Sequence, residues 1–389
     1  MLPARAFRVP RLIITGCGAS EQAGEEIGKL GLKRGLVVTD RALVKMGVLD
    51  GITRALERSG IGFALFDGVF AEPTVEFVRE GLEIYRKNGC DFLLAVGGGS
   101  PIDTAKAIAV MATNPGSIED YQGLGKIKQK GSPIIAIPTT AGTGSEVTPF
   151  TIITDTRRDV KMLIGSPYLM PEIAIVDPLL TLSLPKEITA TTGIDALTHA
   201  IEAYVSLKAQ PMSDIFALSA IKLIAANLPR AWTDGGDIEA REKTMLGALQ
   251  AGIAFGNSSV ALVHGMARPI GACFHVPHGA SNAALLGVVM DFSLEGNPAR
   301  YADIARAMGE KVSGLSDLEA ARLAARAVKR LIQDIKVPSL RELGVEKEKL
   351  EKLAPKMAED AISSGSPANN PRQASKEEII ELYHQAYQG

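Results

Sequence analysis

The chain has 389 residues, room for two ordinary domains, and 46% of them are hydrophobic against 22% charged, which excludes general disorder. Its 42 Lys and Arg nearly cancel 44 Asp and Glu, and a net charge of −2 offers no positive field for a phosphate backbone, so no nucleic-acid partner is expected. Cys17, Cys90 and Cys273 are odd in number and far apart, which excludes a disulfide scaffold and suits a reducing cytoplasm.

In chain order, Met1–Arg5 lacks the apolar run of a signal peptide. Short apolar runs at Gly35–Thr39, Ile61–Phe66, Phe92–Val96, Pro133–Ile137 and Ile173–Val176 read as strands. Between them, Arg41–Ser59, Thr74–Asn88 and Ser100–Ala112 carry helical spacing. Strand and helix in alternation predict an α/β domain with a mainly parallel, Rossmann-like sheet. From Ile188 onward almost every segment reads as helix, and the boundary is placed to give domains at 1–186 and 187–389, the second all-helical. Ser375-Lys376-Glu377-Glu378 is a capping box for the last helix, and Ser363–Asn370 reads as an ordinary loop. Residues 245–267 and 269–290 lack charged groups yet hold Gln250, Asn257, Asn282, prolines and histidines, which a bilayer would leave unsatisfied. They are read as buried helices, with no membrane span.

Two segments have the make-up of anion-binding loops. Gly97-Gly98-Gly99-Ser100-Pro101-Ile102-Asp103 runs from a predicted strand into a predicted helix. Its glycines admit a close ligand, Ser100 is read as the N-cap, and the free amides and dipole of the helix start suit a pyrophosphate. A capped turn without a ligand is the alternative. Asp40, ending the Gly35–Thr39 strand, could accept both hydroxyls of an adenosine ribose and repel a 2′-phosphate, or could simply cap the next helix. Pro138–Glu146, rich in hydroxyls and glycine, is a second loop after a strand. No Gly-x-Gly-x-x-Gly follows the first strand and no P-loop exists.

The chain has five histidines. Asp195 and His199, at i and i+4, share one face of a predicted buried helix; His264 lies in an uncharged helix and His278 in a Pro-His-Gly turn. One carboxylate and three imidazoles suit Fe²⁺ or Zn²⁺ with a position left for substrate. Isolated core histidines are the alternative, but these groups crowd into the most apolar part of the chain, where buried polar atoms need a shared partner.

Together these motifs, with His264-Gly265-Met266-Ala267, Pro277-His278-Gly279 and Asn370-Pro371-Arg372, resemble the iron-containing (group III) alcohol dehydrogenases over nearly the whole length. The resemblance implies a nucleotide-binding α/β domain and a helical metal-binding domain. It implies that Asp195, His199, His264 and His278 bind iron or, alternatively, zinc, and that NAD is held by Asp40, by Gly97, Gly98, Gly99, Ser100 and Asp103, and by Thr139, Thr140, Thr143 and Lys161. Homodimers or larger homo-oligomers are also implied. The chain departs at Arg268, where many members carry a second histidine with a proton-relay role; His275 is a candidate substitute, or a hydrogen-bonding neighbour of the metal ligands. The role of Glu72, where some members carry Asn, is open. The expected reaction is hydride transfer between NAD(H) and a small alcohol or diol and its aldehyde, with the metal as Lewis acid. A zinc polyol dehydrogenase of the same superfamily, or a metal-dependent hydrolase or lyase, are the competing readings; Phe150, Phe255 and Phe274 are candidate pocket walls or plain core.

Overall fold

The structure, a computed structural model, describes residues 4–158 and 160–388. It divides into two compact units, one of residues 8–183 and one of residues 184–389 with the N-terminal residues ahead of Arg8.

The first unit holds the strands β1 (Leu12–Thr15), β2 (Arg34–Val38), β3 (Gly62–Phe66), β4 (Phe92–Gly97), β5 (Gly123–Leu124), β6 (Ile134–Pro138), β7 (Phe150–Asp155), β8 (Val160–Gly165) and β9 (Ile173–Val176). Its helices are α1 (Ala23–Lys29), α2 (Arg41–Lys45), α3 (Asp50–Arg58), α4 (Val75–Lys87) and α5 (Gly99–Thr113). Six strands form one parallel sheet in the order β1-β9-β6-β4-β2-β3. Helices cover both faces, so the central strands are apolar throughout: all six residues of β4 are buried. Leu93 and Ala95 enter one core cluster, with Val78, Ala105 and Ile108, while Leu94 and Val96 enter the other, with Ile27, Ile52 and Leu56.

The five predicted strands are present within a residue at each end. The sequence reading missed β1, a four-residue, half-buried edge strand, and the antiparallel pair β7–β8, whose strands mix polar and apolar positions. The predicted helix Arg41–Ser59 is two helices, parted at a turn in which Gly47 has a φ of 71°.

The second unit is helical: α6 (Lys186–Val205), α7 (Pro211–Thr233), α8 (Ile238–Ser258), α9 (Leu262–Phe274), α10 (His278–Ser293), α11 (Pro298–Ala307), α12 (Asp317–Asp334), α13 (Lys347–Ser363) and α14 (Lys376–Gln388). α7 is long and apolar enough to cross a bilayer, yet it packs along α6 and α8. Residues 4–7, expected in the first domain, belong here: Arg5 donates to the carbonyls of Lys208 and Ala209, and Phe7 stacks on Phe216 at 5.8 Å. The stretch 363–370 is no ordinary loop either. Asn369 donates to Ser259 Oγ and Val260 O and Asn370 to Ser293 Oγ, and both asparagines are buried.

Candidate metal centre and cofactor loops

In the second unit, α6 sets the geometry. Asp195 and His199 lie one turn apart on a helix buried along most of its length. α8 and α9 meet at a bend of 102°, which turns His264 of α9 toward them. α10 begins at His278, and it can approach α6 because residue 279 is glycine: a Cβ there would lie 3.0 Å from Thr191 O and 3.4 Å from Asp195 Cβ. One donor atom from each of Asp195, His199, His264 and His278 lies within 4.8 Å of the others, close enough for one cation to reach all four. The structure therefore brings the four sequence-predicted ligands together.

The electrostatics suit a cation. Burial, followed by the neighbouring His199 and His278, holds His264 well below the usual histidine range, so it is a neutral imidazole with a lone pair to give. Burial alone would raise Asp195, but His199, His278 and His264 and a hydrogen bond from Asn282 outweigh it and leave the carboxyl below its ordinary value. The donors that reach the cluster are few. Asn282 Nδ2 stands 2.6 Å from Asp195 Oδ1 and 3.1 Å from both His264 Nε2 and His278 Nε2. Two amide hydrogens cannot serve three acceptors, whereas one cation can. The residues present thus fit a divalent metal ion.

Two supporting residues escaped the sequence reading. Glu202 continues the Asp195–His199 face of α6 and is buried; its Oε2 lies 2.6 Å from His264 Nδ1. The same carboxylate accepts the amides of Ala261 at 2.8 Å and Val263 at 2.5 Å, and so caps α9, whose own N-cap side chain cannot. Burial pushes Glu202 up to about 7 although those amides pull the other way. A carboxylate on Nδ1–H fixes the ring and turns Nε2 toward the cluster. The available signal was the i, i+4, i+7 spacing of Asp195, His199 and Glu202 in an apolar helix; for Asn282 it was the i+4 step from His278. Of the candidate walls, Phe255 stacks on His199 at 4.2 Å and 16°. His275 is exposed, ends α9 with a left-handed φ of 56°, and is not part of the four-residue donor cluster.

In the first unit, β2 is followed by β3 on one side and β4 by β6 on the other, so the chain reverses its direction of travel across the sheet between β2 and β4. Ligands of open α/β sheets bind beyond the carboxyl ends of the strands at such a point. Asp40 follows β2 and the glycine loop follows β4, which puts both at that edge. Asp40 Oδ1 caps α2 through Leu43 N at 2.9 Å, so the capping reading holds for one carboxylate oxygen. α5 starts at Gly99 with Gly98 as its cap, two residues before the predicted cap Ser100, which sits in the first turn. Thr143 closes over Gly99, where a Cβ would lie 2.9 Å from its Cγ2, and Thr139 N donates to Gly97 O at 2.9 Å. The two loops therefore meet, and Thr140 flanks Gly98.

Asp103 is turned inward. Its oxygens accept Ser145 Oγ at 2.6 Å and Ile152 N at 2.8 Å, which makes it an anchor of the second loop. Lys161 Nζ pairs with Glu72 Oε1 at 2.7 Å, which joins two residues read separately from sequence.

The chain matches sequence models of two families: "Iron-containing alcohol dehydrogenase" over residues 10–178 and "Fe-containing alcohol dehydrogenase family, C-terminal" over residues 189–387. It is 43% identical over 384 residues to 1,3-propanediol dehydrogenase of Citrobacter freundii, with 98% of each chain covered. It is 39% identical to the NAD-dependent methanol dehydrogenase of Bacillus methanolicus, over 98% of this chain and 99% of that one. Among solved structures, that of a 1,3-propanediol oxidoreductase matches with a TM-score of 0.96 at 42% identity, covering 99% of this chain and 100% of the other.

Proposed function

The chain belongs to the iron-containing alcohol dehydrogenase family, oxidoreductases that act on alcohol groups, and from that membership we propose that it interconverts a small primary alcohol or diol and its aldehyde with NAD(H) and a divalent cation, iron first and zinc as the alternative. The observation that carries this reading is the convergence of Asp195, His199, His264 and His278 on one point in a set of acceptors too large for the nearby donors. A cation held there would supply Lewis-acid polarisation of the alcohol or carbonyl oxygen.

The chain's own residues do the rest. Glu202 keeps His264 oriented, and Phe255 walls one side of the cluster at the His199 ring. The amides at the start of α5 and the hydroxyls of Thr140 and Thr143 are assigned to the cofactor's phosphates and the part next to them. Asp40, with Oδ2 outside its helix cap, is assigned to the adenosine ribose, which favours NAD over NADP. Asp103 serves from behind, by holding the Thr143–Ser145 segment in place. His275, facing solvent three residues before His278, is assigned to proton exchange with bulk water.

The test is NADH oxidation with short aldehydes, using metal-free protein reloaded separately with Fe²⁺ and Zn²⁺. Turnover restored by one of the ions is expected. Absence of turnover with either, despite measured metal loading and NADH binding, would overturn the proposal. Turnover indifferent to Asp40→Ala, with hydrolysis of an ester or amide instead, would favour the hydrolase reading.

A further inference from the structure

One charged side chain beside the metal centre has too few partners for its chemistry. Arg268 lies one turn after His264 on α9, on the same face. A guanidinium carries five N–H donors in a planar fork. Here Nη1 donates to Ser366 Oγ at 2.9 Å, while Nε is shielded from solvent and has no acceptor among the described residues. No Asp or Glu forms an ion pair with Arg268 among them. The attractive charge acting on it is that of Glu202, whose carboxylate is already engaged by His264 Nδ1 and the amides that begin α9.

A part-buried guanidinium without a carboxylate is costly unless something else fills its fork. The fork matches carboxylate, sulfonate or phosphate oxygens two at a time. The local charge points the same way: a divalent cation would balance Asp195 and Glu202, so Arg268 leaves the centre one positive charge in excess. Cβ atoms one helical turn apart are separated by about 5–6 Å. Arg268 and His264 are thus neighbours on one helix face, and the Arg268 charge is felt at His264, so an anion on the guanidinium would belong to a small molecule at the cluster.

We propose that Arg268 is a substrate-reading residue, and that the enzyme's preferred substrates are small oxo- or hydroxy-acids whose anionic end docks on its guanidinium while the reacting oxygen sits at the Asp195–His199–His264–His278 cluster. The inference rests on the alcohol dehydrogenase reading above and narrows its substrate class. It includes no new chemical step; Arg268 binds and orients.

The experiment compares matched pairs in the Fe²⁺-loaded enzyme with NADH: glyoxylate with acetaldehyde, and 4-oxobutanoate with butanal. Wild type should favour the anionic member of at least one pair by tenfold or more in kcat/KM. In Arg268→Met that preference should fall by roughly 100-fold, the scale of a lost charge-assisted pair of hydrogen bonds. Calorimetric titration with malonate, which cannot react, should show salt-sensitive binding to wild type, weaker binding to Arg268→Lys and none to Arg268→Met. Metal content and melting temperature of Arg268→Lys and Arg268→Met are measured alongside, and a change counts only in a variant that retains both. An anionic-to-neutral ratio and malonate affinity that are the same in wild type and the folded variants would overturn the proposal. If no member of either pair turns over in metal-loaded, NADH-bound wild type, the alcohol dehydrogenase reading fails instead, and malonate binding still decides whether Arg268 is an anion site.

Discussion

Each unit buries a cluster of ionisable groups on a helix, and the two clusters are built on opposite plans. In the first unit, Lys106 of α5 is fully buried and its Nζ reaches Phe150 O at 2.7 Å, Thr148 O at 2.9 Å, Ser145 Oγ at 3.0 Å and Thr148 Oγ1 at 3.1 Å. Ser145 Oγ in turn donates to Asp103 Oδ1, so this network ties the second loop to α5. In the second unit, Asp195, His199, His264 and His278 are acceptors facing one another with little besides the Asn282 amide between them. The lesson is chemical: a buried cluster that contains its own cation is a staple, and one that lacks it is a receptor for a cation.

The largest effect that could break this contrast is loss of a ligand. His264→Ala should abolish stoichiometric cation binding and turnover, while NAD binding by the first unit persists. Metal analysis of the dialysed variant and a fluorescence titration with NADH check both halves, and retained metal with turnover would remove His264 from the ligand set. The corresponding change in the staple acts on stability. Lys106→Met leaves Asp103 and Glu146 buried without their cation and should cost about 3–5 kcal/mol in urea unfolding. Glu146 adds a pH handle. Burial pushes its carboxyl up to about 7 from 4.5, so the folded protein binds that proton more tightly than the unfolded chain. Its contribution to stability is full below pH 4.5 and is lost as pH rises through 7, a slope that should be missing in Glu146→Gln.

The contrast also explains what was legible before the fold was known. Continuous apolar runs mark β2, β4, β6 and β9, which are buried on both faces, and period-3.6 patterns mark the long helices. β1 has only four residues and none is fully buried, and β7 and β8 mix polar and apolar positions, so their pairing is a tertiary fact. The four ligands were legible because histidine and aspartate are rare in apolar helices. Glu202 and Asn282 were not, since a lone Glu or Asn in a helix reads as a solvated face until its neighbours are known. The anchoring role of Asp103 was hidden for a related reason: its place at the start of α5 suggests a ligand contact, and only the fold shows that its side chain also holds Ser145 and Ile152.

A smaller change sharpens the role of Glu202. Glu202→Gln keeps an oxygen for the α9 amides and replaces the carboxylate beside His264 Nδ1 with a neutral acceptor. Metal affinity should fall by about 10–100-fold with the fold retained, the usual consequence of changing a residue that orients a histidine ligand. Competition against a chelator of known affinity measures the loss. An unchanged affinity would mean that α9 capping, and not His264, is what Glu202 serves.

The smallest expected effect concerns His275, which stands close in sequence to the receptor cluster but outside it in space. Its backbone occupies the left-handed region at φ 56°, where asparagine is better tolerated than histidine, and its N–H closes the end of α9 onto Gly271 O at 3.0 Å. His275→Asn keeps that bond and should raise stability by about 0.5–1 kcal/mol, seen as a small rise in the urea midpoint. If His275 hands protons to water, the variant should also turn over several-fold more slowly in dilute buffer and recover when imidazole is added. A stabilised variant with wild-type rates at every buffer concentration would make His275 a helix end and nothing more, and would leave proton exchange to groups inside the cluster's own wall.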